Sequence, residues 1–386
     1  MFLTVDSDAD GFCSAALFMN YLNNLFPAYV QNKITYVVHD GKEHGIEIDY
    51  IPQDTKIVIA IDASSNENEI HKELHDRGID VVVLDHHYAE VPEDSTAIII
   101  NNQTCDYPTK SLCGAAIVWK FCSYIDSLMN TDYAQNYLDL VAVALISDVM
   151  DLRDFETRRL VDLGLQQITN PFLKELAQKN SFSIGNQLTP HGVAFYIGPY
   201  INAANRSGTQ EEKLTLFESM LDFKGNELIP STKRGCKGQT ETRAEQACRN
   251  CMNIKNRQTK ARDASLENIE GIIKAKDLLK NKILFIQVEN ENKNLVGLIA
   301  NMLMSKYQHP VLLLNKRLHY IVDDDTGEVL DEEIWWEGSG RNYGLTDFRK
   351  FLEDTGLIEY AQGHSSAFGF GIKDKNVKAF IELTNT

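Results

Sequence analysis

The chain has 386 residues, 43% hydrophobic and 9% aromatic, enough apolar material for one large core or two of medium size. Its formal charge of −17 excludes a protein that coats nucleic acid by electrostatics alone, because neutralising phosphates takes clustered Lys and Arg, whereas a site for divalent metals needs carboxylates of its own. There is no long uncharged apolar run and no charged leader, and the seven cysteines lack the spacing of a disulfide framework, so a cytoplasmic, reducing setting without membrane association is expected.

Short apolar runs at 2–5, 34–38, 57–61, 81–84 and 97–100 alternate with helical patterns at 12–26 and 67–77. That alternation predicts an α/β fold with a mostly parallel sheet and helices on both faces. From 111 to about 178 the pattern turns helical, with Leu138, Val141, Leu145 and Val149 at helical spacing, and reads as a helical cap on the same domain. The segment 226–243 (NELIPSTKRGCKGQTETR) is polar and locally basic, and a long charged helix from 244 to about 280 follows it as a connector. A second, smaller α/β unit is expected from Lys282, with strands at 283–288, 311–314 and 318–322 and helices at 296–307 and 345–354. The expected division is therefore 1–225, an insertion and connector over 226–280, and 281–386.

Four features carry chemistry. Asp6-Ser-Asp8-Ala-Asp10-Gly11 sits where the first strand gives way to the first helix, the edge at which open α/β sheets bind ligands. Alternate carboxylates of an extended segment project to one side, and hard oxygen ligands suit Mg²⁺ or Mn²⁺. Taken alone, the motif also suits a solvated acidic loop or a calcium-type loop. Asp62 ends the run 57–61, and Asp85-His86-His87 ends the run 81–84, so both lie on the same sheet edge. Asp148 closes the apolar stretch 138–147, where a buried carboxylate calls for a metal, a cation or a helix cap. Three acidic strand ends on one edge make coincidence a poor explanation.

Other signals weigh less. Cys248 and Cys251 have CxxC spacing without a second pair, Trp335-Trp336 suits core packing at least as well as base stacking, and Lys233, Arg234 and Lys237 divide evenly between a solvated loop and a strand-binding role.

The order of motifs, DxDxDG, an isolated Asp, DHH and an Asp after a helix, resembles the DHH phosphoesterase family. The segments 102–121, TRRLVDLG at 157–164 and above all GPYINAANR at 198–206 are similar to RecJ single-strand-specific exonucleases. VGLIA at 296–300, HPV at 309–311, GSGR at 338–341 and GHSSAFG at 363–369 resemble the DHH-associated C-terminal domain. The resemblance implies a catalytic DHH domain first and a substrate-binding domain last. It implies two divalent ions, Mn²⁺ or Mg²⁺: Asp8 a ligand of one, Asp10, His86 and Asp148 ligands of the other, Asp62 the bridge and a catalytic residue. It makes His87 the partner of the scissile phosphate and Arg206, Arg341 and His364 substrate contacts, with Asn202, Ser339 and the basic trio Lys233, Arg234 and Lys237 as further candidates.

The chain departs from the family in places. Where many relatives carry a His, this chain has Thr4, leaving Asp6 or water to complete the first metal shell, and Met302 replaces an expected Arg. The motif starts at residue 6 and the chain stops soon after Gly369, so a compact, phage-encoded form without the OB-fold domain is expected. The function implied is hydrolysis of single-stranded DNA, 5′ to 3′, with a single-strand-binding protein as a partner. The alternatives are a phosphodiesterase for short oligonucleotides or cyclic dinucleotides, and a catalytically silent scaffold; the intact Asp8, Asp10, Asp62, His86, His87 and Asp148 argue against the last.

Overall fold

The computed structural model describes residues 1–40, 45–185, 187–322 and 329–385. Residue contacts divide the chain into two compact units, Met1–Asn256 and Arg257–Thr386.

In the first unit β1 (Phe2–Val5), β2 (Thr35–Val38), β3 (Ile57–Ile61), β4 (Asp80–Asp85) and β5 (Ile98–Asn101) form one all-parallel sheet in the order β2-β1-β3-β4-β5. The period-2 pleat sorts side chains between two cores. Leu3, Val5, Ile59, Ile61 and Leu84 enter a large core, while Phe2, Val58, Ala60, Val81 and Val83 enter a smaller one. The large core is filled by α1 (Ala9–Leu25), α2 (Pro27–Lys33) and later helices; Leu74 of α3 (Asn68–Asp76) closes the small one. Parallel strands buried on both faces read as continuous apolar runs. IVIAI in β3 is such a run.

The helical segment continues as α4 (Gly114–Met129), α5 (Leu138–Ser147), α6 (Phe155–Gly164), α7 (Pro171–Lys179), α8 (Ser181–Ile184), α9 (Pro190–Tyr196), α10 (Gly198–Ser207), α11 (Gln210–Ser219) and α12 (Asp222–Gly225). Helix α5 is apolar almost all round, Asp139 excepted, because it is buried on every side. The polar segment after α12 holds a short hairpin that the sequence pattern does not predict, β6 (Leu228–Pro230) with β7 (Thr240–Thr242), and α13 (Arg243–Ala275) follows. No described helix is long and apolar enough to cross a membrane.

The second unit is a sheet of β8 (Leu284–Val288), β9 (Val311–Val322), β10 (Val329–Arg341), β11 (Tyr360–His364) and β12 (Ala367–Lys373) in the order β11-β12-β10-β9-β8. Only β8 and β9 run parallel; the other pairs are antiparallel. Helices α14 (Lys293–Tyr307), α15 (Phe348–Glu353) and α16 (Asp374–Asn385) complete it. The two strands expected at 311–314 and 318–322 are one: Asn315, Lys316 and Arg317 look like a polar break but pair with Glu337, Trp336 and Trp335. Trp336 is core and donates its indole N–H to Asp374, whereas Trp335 stacks on His319 at 4.2 Å.

Candidate metal centre

The chain leaves β1, runs to β2 on one side, and returns to β3 on the other, so the topological switch point lies between β1 and β3. The acidic loop occupies it. Asp8 caps α1, accepting from the Gly11 N–H at 3.0 Å, and Gly11 is glycine because a Cβ there would meet the Asp6 side chain at 2.5 Å. Asp10 accepts from the backbone N–H groups of Gly114 at 2.6 Å and Ala115 at 2.9 Å, the start of α4, where unsatisfied amides favour a carboxylate. Two asparagines of α10 hold the loop from far along the chain. Asn202 accepts from the Ala9 N–H at 3.1 Å and Asn205 from the Ser7 hydroxyl at 3.0 Å.

Asp62 emerges from β3 in left-handed backbone, φ 61°. The side chain of His86, after β4, brings Nε2 to 3.2 Å from Asp62, 3.5 Å from Asp10 and 3.6 Å from Asp148. The Leu112 carbonyl engages the His86 ring. A carbonyl partner of this kind fixes ring and tautomer. Asp85 is a hub rather than a member of the cluster: it accepts from the N–H groups of His86 at 2.7 Å and His87 at 3.2 Å, from Ser65 at 3.3 Å, and pairs with His87 Nδ1 at 2.8 Å. Asn101 of β5 donates to the His87 carbonyl at 2.9 Å.

Among the described residues, three groups each bring their potential ligand atoms within 4.8 Å of one another: Asp6, Asp8 and Asp62; Asp10, His86 and Asp148; Asp62, His86 and His87. Asp62 and His86 each belong to two of them. Burial first, and neighbouring carboxylates second, push Asp62 well above the usual carboxylate range, Asp8 up to about 6 and Asp148 up to about 7. Burial lowers His86, favouring a neutral imidazole with a lone pair to give, while the hydrogen bond to Asp85 pushes His87 up to about 9. Oδ1 of Asp62 is buried with no hydrogen-bond partner. Mutually repelling carboxylates, an orphaned carboxylate oxygen and a neutral imidazole are a donor set that divalent cations satisfy.

Asp148 caps the C-terminus of α5 and is partly buried, 34% exposed at its side chain, rather than fully enclosed as the apolar stretch before it suggests. Arg206 lies exposed in the last turn of α10. In the second unit Arg341, Ala367 and His364 form one row across β10, β12 and β11, so their side chains share a face. Ser339 lies two residues back on that face, and a Cβ on Gly297 would meet Arg341 at 2.7 Å and Ser339 at 3.3 Å. In the β6–β7 loop Lys233 pairs with Glu241 at 3.1 Å, while Arg234 and Lys237 are exposed. Cys248 and Cys251 are buried in the large core, where burial pushes the Cys248 thiol up to about 12. The sequence pattern does not reveal Gly114, Asn101, Asn205 or the Leu112 carbonyl, because each acts through a tertiary contact.

Residues 1–145 match the family model of the DHH family, N-terminal domain, so this part of the chain is a DHH domain. Over its whole length it is 39% identical to a Bacillus subtilis (strain 168) protein provisionally named an SPbeta prophage-derived single-strand DNA-specific exonuclease. It is 24% identical over 96% of its length to the single-stranded-DNA-specific exonuclease RecJ of the same organism. The chain spans 65% and 43% of the lengths of those relatives. The crystal structure of RecJ from Thermus thermophilus in complex with Mn²⁺ matches all of the chain and 51% of itself at a TM-score of 0.71 and 19% identity. That of exonuclease RecJ bound to manganese matches all of the chain and 88% of itself at 0.70 and 20%. The fold is that of RecJ.

Proposed function

We propose that the chain is a divalent-metal-dependent phosphodiesterase that acts as an exonuclease on single-stranded DNA, in the 5′ to 3′ direction. The observation that carries this reading is Asp62, an unsatisfied buried carboxylate common to two ligand groups. It groups with Asp6 and Asp8 and again with His86 and His87, and His86 reaches Asp10 and Asp148 as well. The names of the two Bacillus relatives support the substrate class, and the manganese in both RecJ structures supports the choice of ion.

Asp62 would bridge two ions, Asp8 with Asp6 would hold one, and Asp10, His86 and Asp148 the other. Bound Mn²⁺ or Mg²⁺ would polarise the phosphoryl oxygens and lower the pKa of a water toward about 7. The chain's own residues do the rest. His87, kept cationic by Asp85, presents a proton to the scissile phosphate or its leaving oxygen. The Leu112 carbonyl holds the His86 ring, and Asn202 and Asn205 fix the acidic loop, so the ligands are in place before substrate arrives. Arg206, Arg341, His364 and Ser339 supply contacts to the strand.

The test is incubation with 5′-labelled and 3′-labelled single strands, a duplex and a dinucleotide, each with Mn²⁺ or EDTA. Immediate release of the 5′ label from the single strand, abolished by EDTA, is expected. Cleavage insensitive to EDTA overturns the reading, and early release of the 3′ label overturns the polarity.

A further inference from the structure

The turn after β3 carries a second non-glycine residue in left-handed backbone, Ser64 at φ 79°. An L-residue is strained there where glycine is not, and such strain persists only where something else holds or uses the residue. The carboxylate cluster accounts for Asp62, but nothing so far accounts for Ser64. Ser64 is 9% exposed, and its hydroxyl has no hydrogen-bond partner, although its carbonyl accepts from the Glu67 N–H.

Ser64 lines a cavity of about 300 Å³ with Asp62, Asp85 and His87. The neighbouring polar side chains of that wall are engaged. The Ser65 hydroxyl takes Asn101, Asn66 ties Tyr88 and Glu90, Glu67 takes the Ile46 N–H, and Asp85 holds the DHH turn. Among the described residues of this wall, the ring nitrogen of His87 that Asp85 does not hold and the Ser64 hydroxyl are donors that these bonds leave over. An imidazole nitrogen and a hydroxyl on one cavity wall beside Asp62 suit the oxygens of a tetrahedral oxyanion.

We infer that Ser64 binds substrate, donating its hydroxyl hydrogen to a non-bridging oxygen of the nucleotide phosphate beside His87. The inference rests on the phosphodiesterase reading for the identity of the ligand. Ser64→Gly removes the hydroxyl and relieves the backbone; Ser64→Ala removes the hydroxyl alone. Both should raise KM for a single strand about tenfold with kcat little changed, the signature of a lost hydrogen bond to a charged group. Ser64→Gly alone should also raise Tm, by about 2 °C. A purely structural serine would leave KM unchanged in both variants, and that result overturns the inference. Thermal melts in Mn²⁺ with and without 5′-thymidine monophosphate give a readout independent of turnover: nucleotide protection of the wild type beyond that of Mn²⁺ alone, and its loss in both variants, is expected. Equal protection of all three proteins, or none of the wild type, overturns the inference. A wild type that is protected but cleaves no strand overturns the phosphodiesterase reading instead.

Discussion

Gly114, the first residue of α4, lies against Asp62 so closely that a Cβ on it would fall 2.6 Å from the Asp62 carboxylate oxygen. The same residue gives its N–H to Asp10, so one glycine borders both carboxylates. Gly114→Ala should push Asp62 off its position while the buried strands around it stay intact. A misplacement of about 1 Å costs on the order of a hundredfold in rate. Initial rates under saturating Mn²⁺, with circular dichroism to check the fold, test this; a wild-type rate would show that Asp62 need not sit where it does.

Asp62→Asn should abolish hydrolysis and yet stabilise the metal-free protein. The folded Asp62 keeps a proton that the unfolded chain releases above the ordinary value of 3.8, so folding stability falls as pH rises from there through the raised value. The asparagine variant lacks that fall. Melts in EDTA from pH 4 to 8 should therefore show a higher Tm for the variant at neutral pH, and Mn²⁺ should protect it less than it protects the wild type. Full hydrolysis by the variant would remove Asp62 from the centre.

The Asp85–His87 pair sets a pH limit. His87 stays cationic up to about 9 because Asp85 accepts its hydrogen bond. Below the ordinary histidine value the pair's stabilisation is complete, and it is lost as pH rises through about 9. Asp85→Asn should return the ring toward about 6.5, moving the alkaline limb of the kcat/KM profile down by more than a pH unit. An unmoved limb would assign the proton to another group.

Arg206→Ala and Arg341→Ala should each weaken strand binding. Each lost phosphate contact on a single strand lowers the slope of log K against log salt by about 0.7. Slopes equal to the wild-type value in both variants would exclude the two arginines as phosphate contacts.

In the β6–β7 loop Lys233, Arg234 and Lys237 are all exposed, Lys233 while pairing with Glu241. Changing all three to Ala should weaken binding of long strands and spare hydrolysis of a dinucleotide, which is too short to reach beyond the centre. Equal effects on both substrates, or none, would make the loop a surface feature.

The acidic strand ends were legible because β1, β3 and β4 are buried on both faces. Their apolar runs end abruptly, and Asp6, Asp62 and Asp85 stand where each run stops. β10 was not legible. Its pairing with β12 covers only Trp335–Arg341, so 329–334 is a ribbon paired with β9 alone, and LDEEI there follows no buried face. Asp85 was legible as part of a motif but not as the hub that aims His87, since hydrogen bonds to backbone amides leave no mark on residue type. Gly114 stands in a segment whose resemblance was noted, yet only the approach of Asp62 explains why it has no side chain.

The bonds from Asn202 to Ala9 and from Asn205 to Ser7 span 193 and 198 residues. A ribosome makes the acidic loop first and delivers its clamps only 193 and 198 residues later. Until then two of the loop's anchors do not exist, so the carboxylate cluster cannot be completed before α10 has been made. Sequence distance thus acts as a timer on the site's assembly during synthesis.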